Sequence, residues 1–277
     1  MKVSKVRGIY FSPTGTTERT VKKIVKDTAA LLDVPLEFFN FTTPKFREEG
    51  LVFERDELII FGVPVIAGRV PNVLLKFLAL TRGSGALAVP IVLYGNRNYD
   101  DALIELRDIL ENAGAHTIAA GAFVGAHSFS DILAAGRPDK EDLKIMEGFS
   151  RDIAEKIKDK DEEDLRRKPP IDVKGAPHPY RGYYQPKDRK GRPVDVRKVK
   201  PLTNDNCIDC KVCVRVCPMG SIVYEDVSLY QGICIKCGAC VKKCPFDAKY
   251  YDDPDYLYHK KELEEGFKRR GEIDLFL

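Results

Sequence analysis

All eight cysteines of this 277-residue chain fall between Cys207 and Cys244, in two runs offset by 27 positions. The runs read C-I-D-C-K-V-C-V-R-V-C-P from Cys207 and C-I-K-C-G-A-C-V-K-K-C-P from Cys234, each with the spacing C-x-x-C-x-x-C-x-x-x-C-P. Three thiols placed two residues apart wrap one corner of an iron–sulfur cubane, and the amides between them point at its sulfides. The fourth thiol lies too far along the chain, with proline ending the local turn, and ligates the other cluster. Two [4Fe–4S] clusters are therefore expected, one held by Cys207, Cys210, Cys213 and Cys244, the other by Cys234, Cys237, Cys240 and Cys217. The alternative for clustered cysteines is a pair of structural zinc sites, which rarely use this triple spacing. No cysteine remains for a disulfide elsewhere.

The run resembles that of bacterial two-cluster ferredoxins. Ile222-Val223-Tyr224 and Lys249-Tyr250-Tyr251 follow the two proline turns and are expected to pair as strands. Ala248-Lys249 stands where ferredoxins commonly have Ala-Ile. Residues 202–277 carry 11 basic and 13 acidic side chains. Two clusters at about −2 each would take that module to about −6.

The first 160 residues alternate strand and helix signals. Strands are expected at Val3–Phe11, Leu36–Phe41, Glu57–Val63, Ala88–Tyr94 and Thr117–Val124, and helices at Thr16–Leu32, Val73–Leu80, Asp101–Asn112 and Lys140–Lys158. Gly114 suits the left-handed position that closes the third helix. Strands separated by helices imply parallel pairing with right-handed crossovers, hence an α/β helix–sheet–helix sandwich. The domain reading is 1–160 for this unit, 161–201 for a basic proline-rich linker, and 202–277 for an α+β ferredoxin-like domain with a helical tail, Tyr256–Arg270.

The linker stretch 165–201 holds seven prolines, with 12 basic and 3 acidic residues. It reads either as a solvated spacer or as a segment draped over a domain, and its charge makes it a plausible counter-surface for the cluster module. Arg189, Lys190 and Arg192 are expected along that contact. Tyrosines at 180, 183 and 184 stand among these charges without a recognisable nucleic-acid-binding fold, so no nucleic-acid partner is expected. No apolar run reaches membrane-spanning length, and Met1-Lys2-Val3-Ser4-Lys5 leads into a strand rather than a signal-peptide core. A cytoplasmic protein with no membrane partner is the expectation.

After the first strand comes Ser12-Pro13-Thr14-Gly15-Thr16-Thr17, opening a helix. Hydroxyls and exposed amides at a helix N-terminus cradle a phosphate dianion, and Gly15 lets the backbone approach closely. A plain Ser/Thr-rich helix cap is the alternative. The loop resembles the FMN phosphate loop of flavodoxins; it is neither a dinucleotide fingerprint nor a Walker loop. The third and fourth strands run into Pro64-Val65-Ile66-Ala67-Gly68 and Gly95-Asn96-Arg97-Asn98-Tyr99, at the topological switch point of such a sheet.

Taken together, residues 1–160 and 202–260 resemble the flavodoxin–ferredoxin fusion proteins, the EFR1-type ferrodoxins. The resemblance implies an α/β, flavodoxin-like doubly wound parallel sheet of order 2-1-3-4-5, with FMN and two [4Fe–4S] clusters as cofactors. Ser12, Thr14, Gly15, Thr16 and Thr17 would hold the FMN phosphate. Pro64 to Gly68 would line one face of the ring and Gly95 to Tyr99 the other, with Tyr99 as the stacking aromatic. Ile66 stands where members tend to have an aromatic residue. His127 and Ser128 either approach the ring or form a surface loop. The implied function is a low-potential electron carrier serving other oxidoreductases in an anaerobic-type metabolism, with a homodimer possible. The alternative is a reductase that reduces a small substrate at the flavin with electrons from the clusters. No residue is assigned a catalytic role.

Overall fold

Apolar side chains on both faces of the N-terminal strands put the sheet between two cores: Leu58 and Ile60 enter one, Ile59 and Phe61 the other. The computed structural model describes residues 3–277; Met1 and Lys2, the start of the opening run read above, lie outside the described residues. The first domain runs β1 (Lys5–Tyr10), α1 (Thr16–Leu32), β2 (Leu36–Asn40), β3 (Glu57–Pro64), α2 (Leu75–Leu78), β4 (Leu87–Tyr94), α3 (Ala102–Asn112), β5 (His116–Thr117), β6 (Ala120–Val124) and α4 (Lys140–Lys158). Strands β2, β1, β3, β4 and β6 lie side by side in that order and pair in parallel, the doubly wound flavodoxin-like arrangement. Helices α1 and α4 pack together over one face, their Val21, Ile24, Met146 and Phe149 in a shared core. Helix α3 covers the other through Leu103, Leu106 and Leu110.

Local signals account for the helix ends. Asp139 caps α4 with a complete capping box to Asp142, and Gly114, at φ 88°, follows α3 as expected. Two elements differ from the reading. The helix expected at Val73–Leu80 is a 3-10 turn, Asn72–Leu74, followed by the single turn of α2. The fifth strand is interrupted because the Thr117 carbonyl accepts the Ile171 amide and the Ile118 carbonyl accepts the Lys156 ammonium.

The segment after α4 is ordered. A short helix α5 (Glu162–Arg166) leads into a strap held across the α3 side of the domain. The Asp101 carboxylate accepts the amides of Ala176 and Arg181 at 2.9 and 2.8 Å and pairs with the Arg181 guanidinium. Tyr180 donates to Asp108, and the Arg69 guanidinium covers the Tyr180 and Tyr183 rings. Arg181 of the strap thus finds its carboxylate on the first domain, and Lys174 finds one on Asp274 of the tail, at 3.0 Å. Arg192 pairs with Asp188 of its own hairpin at 2.7 Å. Of the three residues expected at the module, Arg189 lies 5.4 Å over the Tyr258 ring and Lys190 makes only a local amide bond to Asp188.

The cysteine region holds β7 (Leu202–Thr203), α6 (Val212–Val216), α7 (Ala239–Lys242) and β8 (Lys249–Tyr250), followed by α8 (Pro254–Gly266) and β9 (Asp274–Phe276). The expected pairing of 222–224 with 249–251 does not form. Strand β8, after the second run, pairs with β7, ahead of the first, while Ile222 bridges Tyr230 within the segment between the runs. Strand β9 was not foreseen: it joins the first domain's sheet, antiparallel to β6.

Candidate functional site

The first turn of α1 presents an anion cradle. Gly15 takes a left-handed φ of 100°, a Cβ there would meet nothing within 4 Å, and no side chain caps the helix. Among the described residues the amides of Thr14, Gly15, Thr16 and Thr17 have no hydrogen-bond acceptor within the protein. Ser12 is internal to the loop: its hydroxyl accepts the Glu18 amide at 2.9 Å and its amide donates to Thr42 Oγ1 at 2.7 Å. Orphan donors at the end of a 17-residue helix suit a phosphate.

The two loops at the switch point open onto a cleft of about 860 Å³. Val65, Ile66, Ala67, Gly68, Gly95, Arg97 and Asn98 line it, joined by Tyr94, His127, Ser128 and Phe129. The 66–69 turn is a two-residue hairpin with Ala67 and Gly68 both at positive φ, 51° and 79°. A Cβ on Gly68 would come 2.2 Å from Asp100 Oδ2, so only glycine lets the two loops meet.

Three expected residues stand apart from the cleft. Pro64 ends β3 behind it. Tyr99 is buried away from it, its ring 5.6 Å from Tyr94 and its hydroxyl donating to Asp274 of β9 at 2.6 Å. Asn96 is buried as a clamp on the tail, donating to the Phe267 and Arg269 carbonyls at 2.7 Å each and accepting the Gly271 amide at 2.8 Å. The tail, unanticipated at this place, draws both side chains inward.

The aromatic groups over the cleft come from elsewhere. Tyr184 of the strap donates its amide to the Ala67 carbonyl at 2.8 Å, lies under the Arg97 guanidinium at 4.4 Å, and stacks on His259 of α8 at 5.7 Å. Three tyrosines within five residues were the only sign of this in the sequence. His127 and Ser128 line the cleft instead of forming a surface loop. Burial, aided by the charges of His259, Lys242 and Arg97, pushes His127 down to about 4, so the ring is neutral. Its Nδ1 accepts the Phe129 amide at 3.0 Å, which leaves the proton on Nε2. Burial also lowers His259, whose Nδ1 is buried without a partner.

The eight thiols stand around two further cavities. Cys207, Cys210, Cys213 and Cys244 line one of about 310 Å³, and Cys217, Cys234, Cys237 and Cys240 line one of about 340 Å³. Among the described residues no three His, Cys, Asp or Glu groups meet as a single-ion site. Thiols spread around a cavity suit a polynuclear cluster better than one ion. The backbone repeats with the sequence: Asp209 and Lys236, Lys211 and Gly238, and Gly220 and Asp247 all have positive φ, each pair 27 apart. The Ser221 amide donates to Cys217 Sγ at 3.4 Å, and the Ala248 amide to Cys244 Sγ at 3.3 Å, again 27 apart. Burial pushes the Cys237 thiol up to about 12, so iron binding there must displace a proton.

One cavity touches the cleft. Ile235 and Cys237 line both the cleft and the cavity of Cys217, Cys234, Cys237 and Cys240, called proximal below; the other is distal. The proximal half is held to the first domain. Arg47 donates to the Pro218 carbonyl at 2.5 Å, Lys242 to the Ser130 carbonyl at 2.9 Å, and a Cβ on Gly238 would strike the Ser128 carbonyl at 2.7 Å. An aromatic row runs from His127 through Phe129 and Tyr256 to Tyr251 on the proximal cavity, at centroid spacings of 5.3, 4.7 and 4.1 Å.

Residues 206–248 match a family model described as a 4Fe-4S dicluster domain. No curated protein matches the chain. Among solved structures, a flavodoxin from the domain Archaea is 18% identical with a TM-score of 0.41, covering 56% of this chain and 99% of its own. A Streptococcus pneumonia TIGR4 flavodoxin is 18% identical with a TM-score of 0.39, covering 55% of this chain and 98% of its own. Two-electron reduced Megasphaera elsdenii flavodoxin is 17% identical with a TM-score of 0.36, covering 53% of this chain and 98% of its own. No helix among the described residues is long and apolar enough to cross a membrane.

Proposed function

We propose that this chain is an electron-transfer protein of the flavodoxin–ferredoxin fusion type, with FMN in the cleft and a [4Fe–4S] cluster in each thiol-lined cavity. The observation that carries the reading is the wall of Ile235 and Cys237, which separates the cleft from the proximal cavity by a single layer of side chains. FMN exchanges electrons singly or in pairs and a cubane exchanges them singly, so the two together convert one kind of transfer into the other.

The chain's own residues set the conditions. The amides of Thr14 to Thr17 hold the phosphate, and Ala67, Gly68 and Gly95 let the backbone come close to the ring. Tyr184 and Leu263 add aromatic and apolar surface to the cleft wall. His127 offers a neutral Nε2–H donor that keeps its proton across the physiological range. Exchange with larger oxidoreductases falls to the distal side, where Ile208 and Phe246 are exposed on the cavity wall. A reductase acting on a small molecule is the second reading, favoured by the convergence of His127, His259 and Tyr184 on the cleft. Turnover of a small substrate without any partner protein would support it over the carrier.

Composition tests the proposal. Protein prepared without oxygen should carry one FMN with about eight iron and eight sulfide per chain. Extraction of FAD, or iron near four, would overturn the corresponding site. Thr14→Ala should weaken FMN binding by about 1–3 kcal/mol.

A further inference from the structure

The two halves of the cysteine repeat correspond at an offset of 27, and one position buried in both halves breaks the correspondence in charge. Cys217 matches Cys244, and Ile222 matches Lys249. Ile222 is 3% exposed and lines the proximal cavity; Lys249 is also 3% exposed and lines the distal one. The Lys249 ammonium donates to Thr203 Oγ1 at 2.7 Å and to the Val227 carbonyl, with the Tyr230 hydroxyl at 3.5 Å. These partners are neutral, and among the described residues no carboxylate forms an ion pair with Lys249. A buried ammonium without a counter-charge is costly.

Lys249 shares the wall of the distal cavity with Cys207, Cys210, Cys213 and Cys244 and is not part of the proximal wall, although its charge also reaches Asp226 and the proximal Cys240. Lys211, the other cation on this cavity, is already paired with Asp209 at 2.6 Å. Lys236, the cation nearest the proximal thiols in sequence, donates to the Cys234 carbonyl at 2.8 Å and lines the cleft, not the wall of either cavity.

We propose that Lys249 is the built-in counter-ion of the distal cluster and raises its reduction potential, making that cluster the electron sink of the module. The proposal rests on the two-cluster reading above. Reduction adds one electron and one negative charge to the cluster, with no bond or proton transferred, so a fixed neighbouring cation stabilises the reduced state more than the oxidised one. At the matching place the wall of the proximal cavity has the apolar Ile222, and Lys249 acts on that site only from outside its wall. Electrons arriving from the flavin side would then run outward, to the face bearing Ile208 and Phe246.

The test is a potentiometric titration of the anaerobic holoprotein, followed by electron paramagnetic resonance, for the native chain, Lys249→Gln and Lys249→Arg. Glutamine keeps donors for Thr203 and Val227 without the charge; arginine keeps the charge. The native protein should show two separate one-electron steps. Lys249→Gln should lower the higher step by at least tenfold in its equilibrium constant, about 59 mV for one electron. Lys249→Arg should restore most of the difference. Should the glutamine variant fail to hold its clusters, Lys249→Met supplies the same reading in an apolar form. Fewer than two clusters in the native protein would defeat the cluster reading itself. Two intact clusters whose steps do not move, or a fall confined to the lower step, would overturn the role of Lys249 alone.

Discussion

The two thiol-lined cavities share a spacing, a set of left-handed backbone positions and a pair of amide-to-sulfur bonds, yet they differ in nearly everything around them. The proximal cavity is walled by Ile222, Ile233, Ile235 and Tyr251, and it backs onto the cleft. The distal cavity is walled by Ile208, Val227, Phe246 and Lys249, with Ile208 and Phe246 open to solvent. The internal repeat thus supplies two equal sets of four thiols, while the strap, the tail and the first domain make their surroundings unequal. Thiol placement is a local property of the repeat; which set lies inside and which outside is a property of the whole chain.

Removing one ligand at a time should break the comparison most sharply. Cys217→Ser and Cys244→Ser should each cost one cluster, about four of eight iron. Only Cys217→Ser should also abolish flavin reduction through the module. If Cys244→Ser is the variant that disconnects the flavin, the inner and outer assignments are reversed.

The strap supplies a second, smaller handle. Asp101 is held down to about 2, first by the Arg181 guanidinium and then by the amides of Ala176 and Arg181, against the opposing effect of burial. Its folded value lies below the ordinary 3.8, so its contribution to stability is complete above that pH and fades as pH falls towards 2. Acidification through that window should release the strap, seen as new proteolytic cleavage within residues 171–186. Asp101→Asn should do the same at neutral pH at a cost of about 1.5–3 kcal/mol. Unchanged cleavage in both would show that the strap is held by other contacts.

Tyr184→Ala should weaken FMN binding by about 1–2 kcal/mol while leaving the distal midpoint in place. Tyr99→Phe should cost about 0.5–1.5 kcal/mol of stability, through the lost bond to Asp274, and leave FMN affinity unchanged. A loss of FMN affinity in the Phe variant would return Tyr99 to the ring.

Much of this molecule is legible in its sequence wherever the determinant is local. Helices α1 and α4 begin and end where their pattern places them, and the parallel pairing follows from alternating strands and helices. The grouping of the eight thiols into two sets of four follows from their spacing. What could not be read depends on single contacts between distant residues. Asp101 binds the strap across 80 positions, and Asn96 binds the tail across 175. Neither leaves a periodic trace, so Asn96 and Tyr99 read as ring contacts when they are anchors. Tyr184 reaches the cleft because Asp101, Asp108 and Arg69 together dock the strap, and β9 is three residues long, below what alternation can reveal.

The central claim is that the proximal cavity and the cleft exchange electrons within one chain. It is tested most directly by anaerobic stopped flow, mixing the holoprotein with less than one equivalent of a one-electron donor and following cluster and flavin absorbance separately. The account predicts rapid cluster reduction, then a flavin phase whose rate does not change over a wide range of protein concentration and which vanishes in Cys217→Ser. A flavin phase that rises in proportion to protein concentration, and persists in that variant, would contradict it.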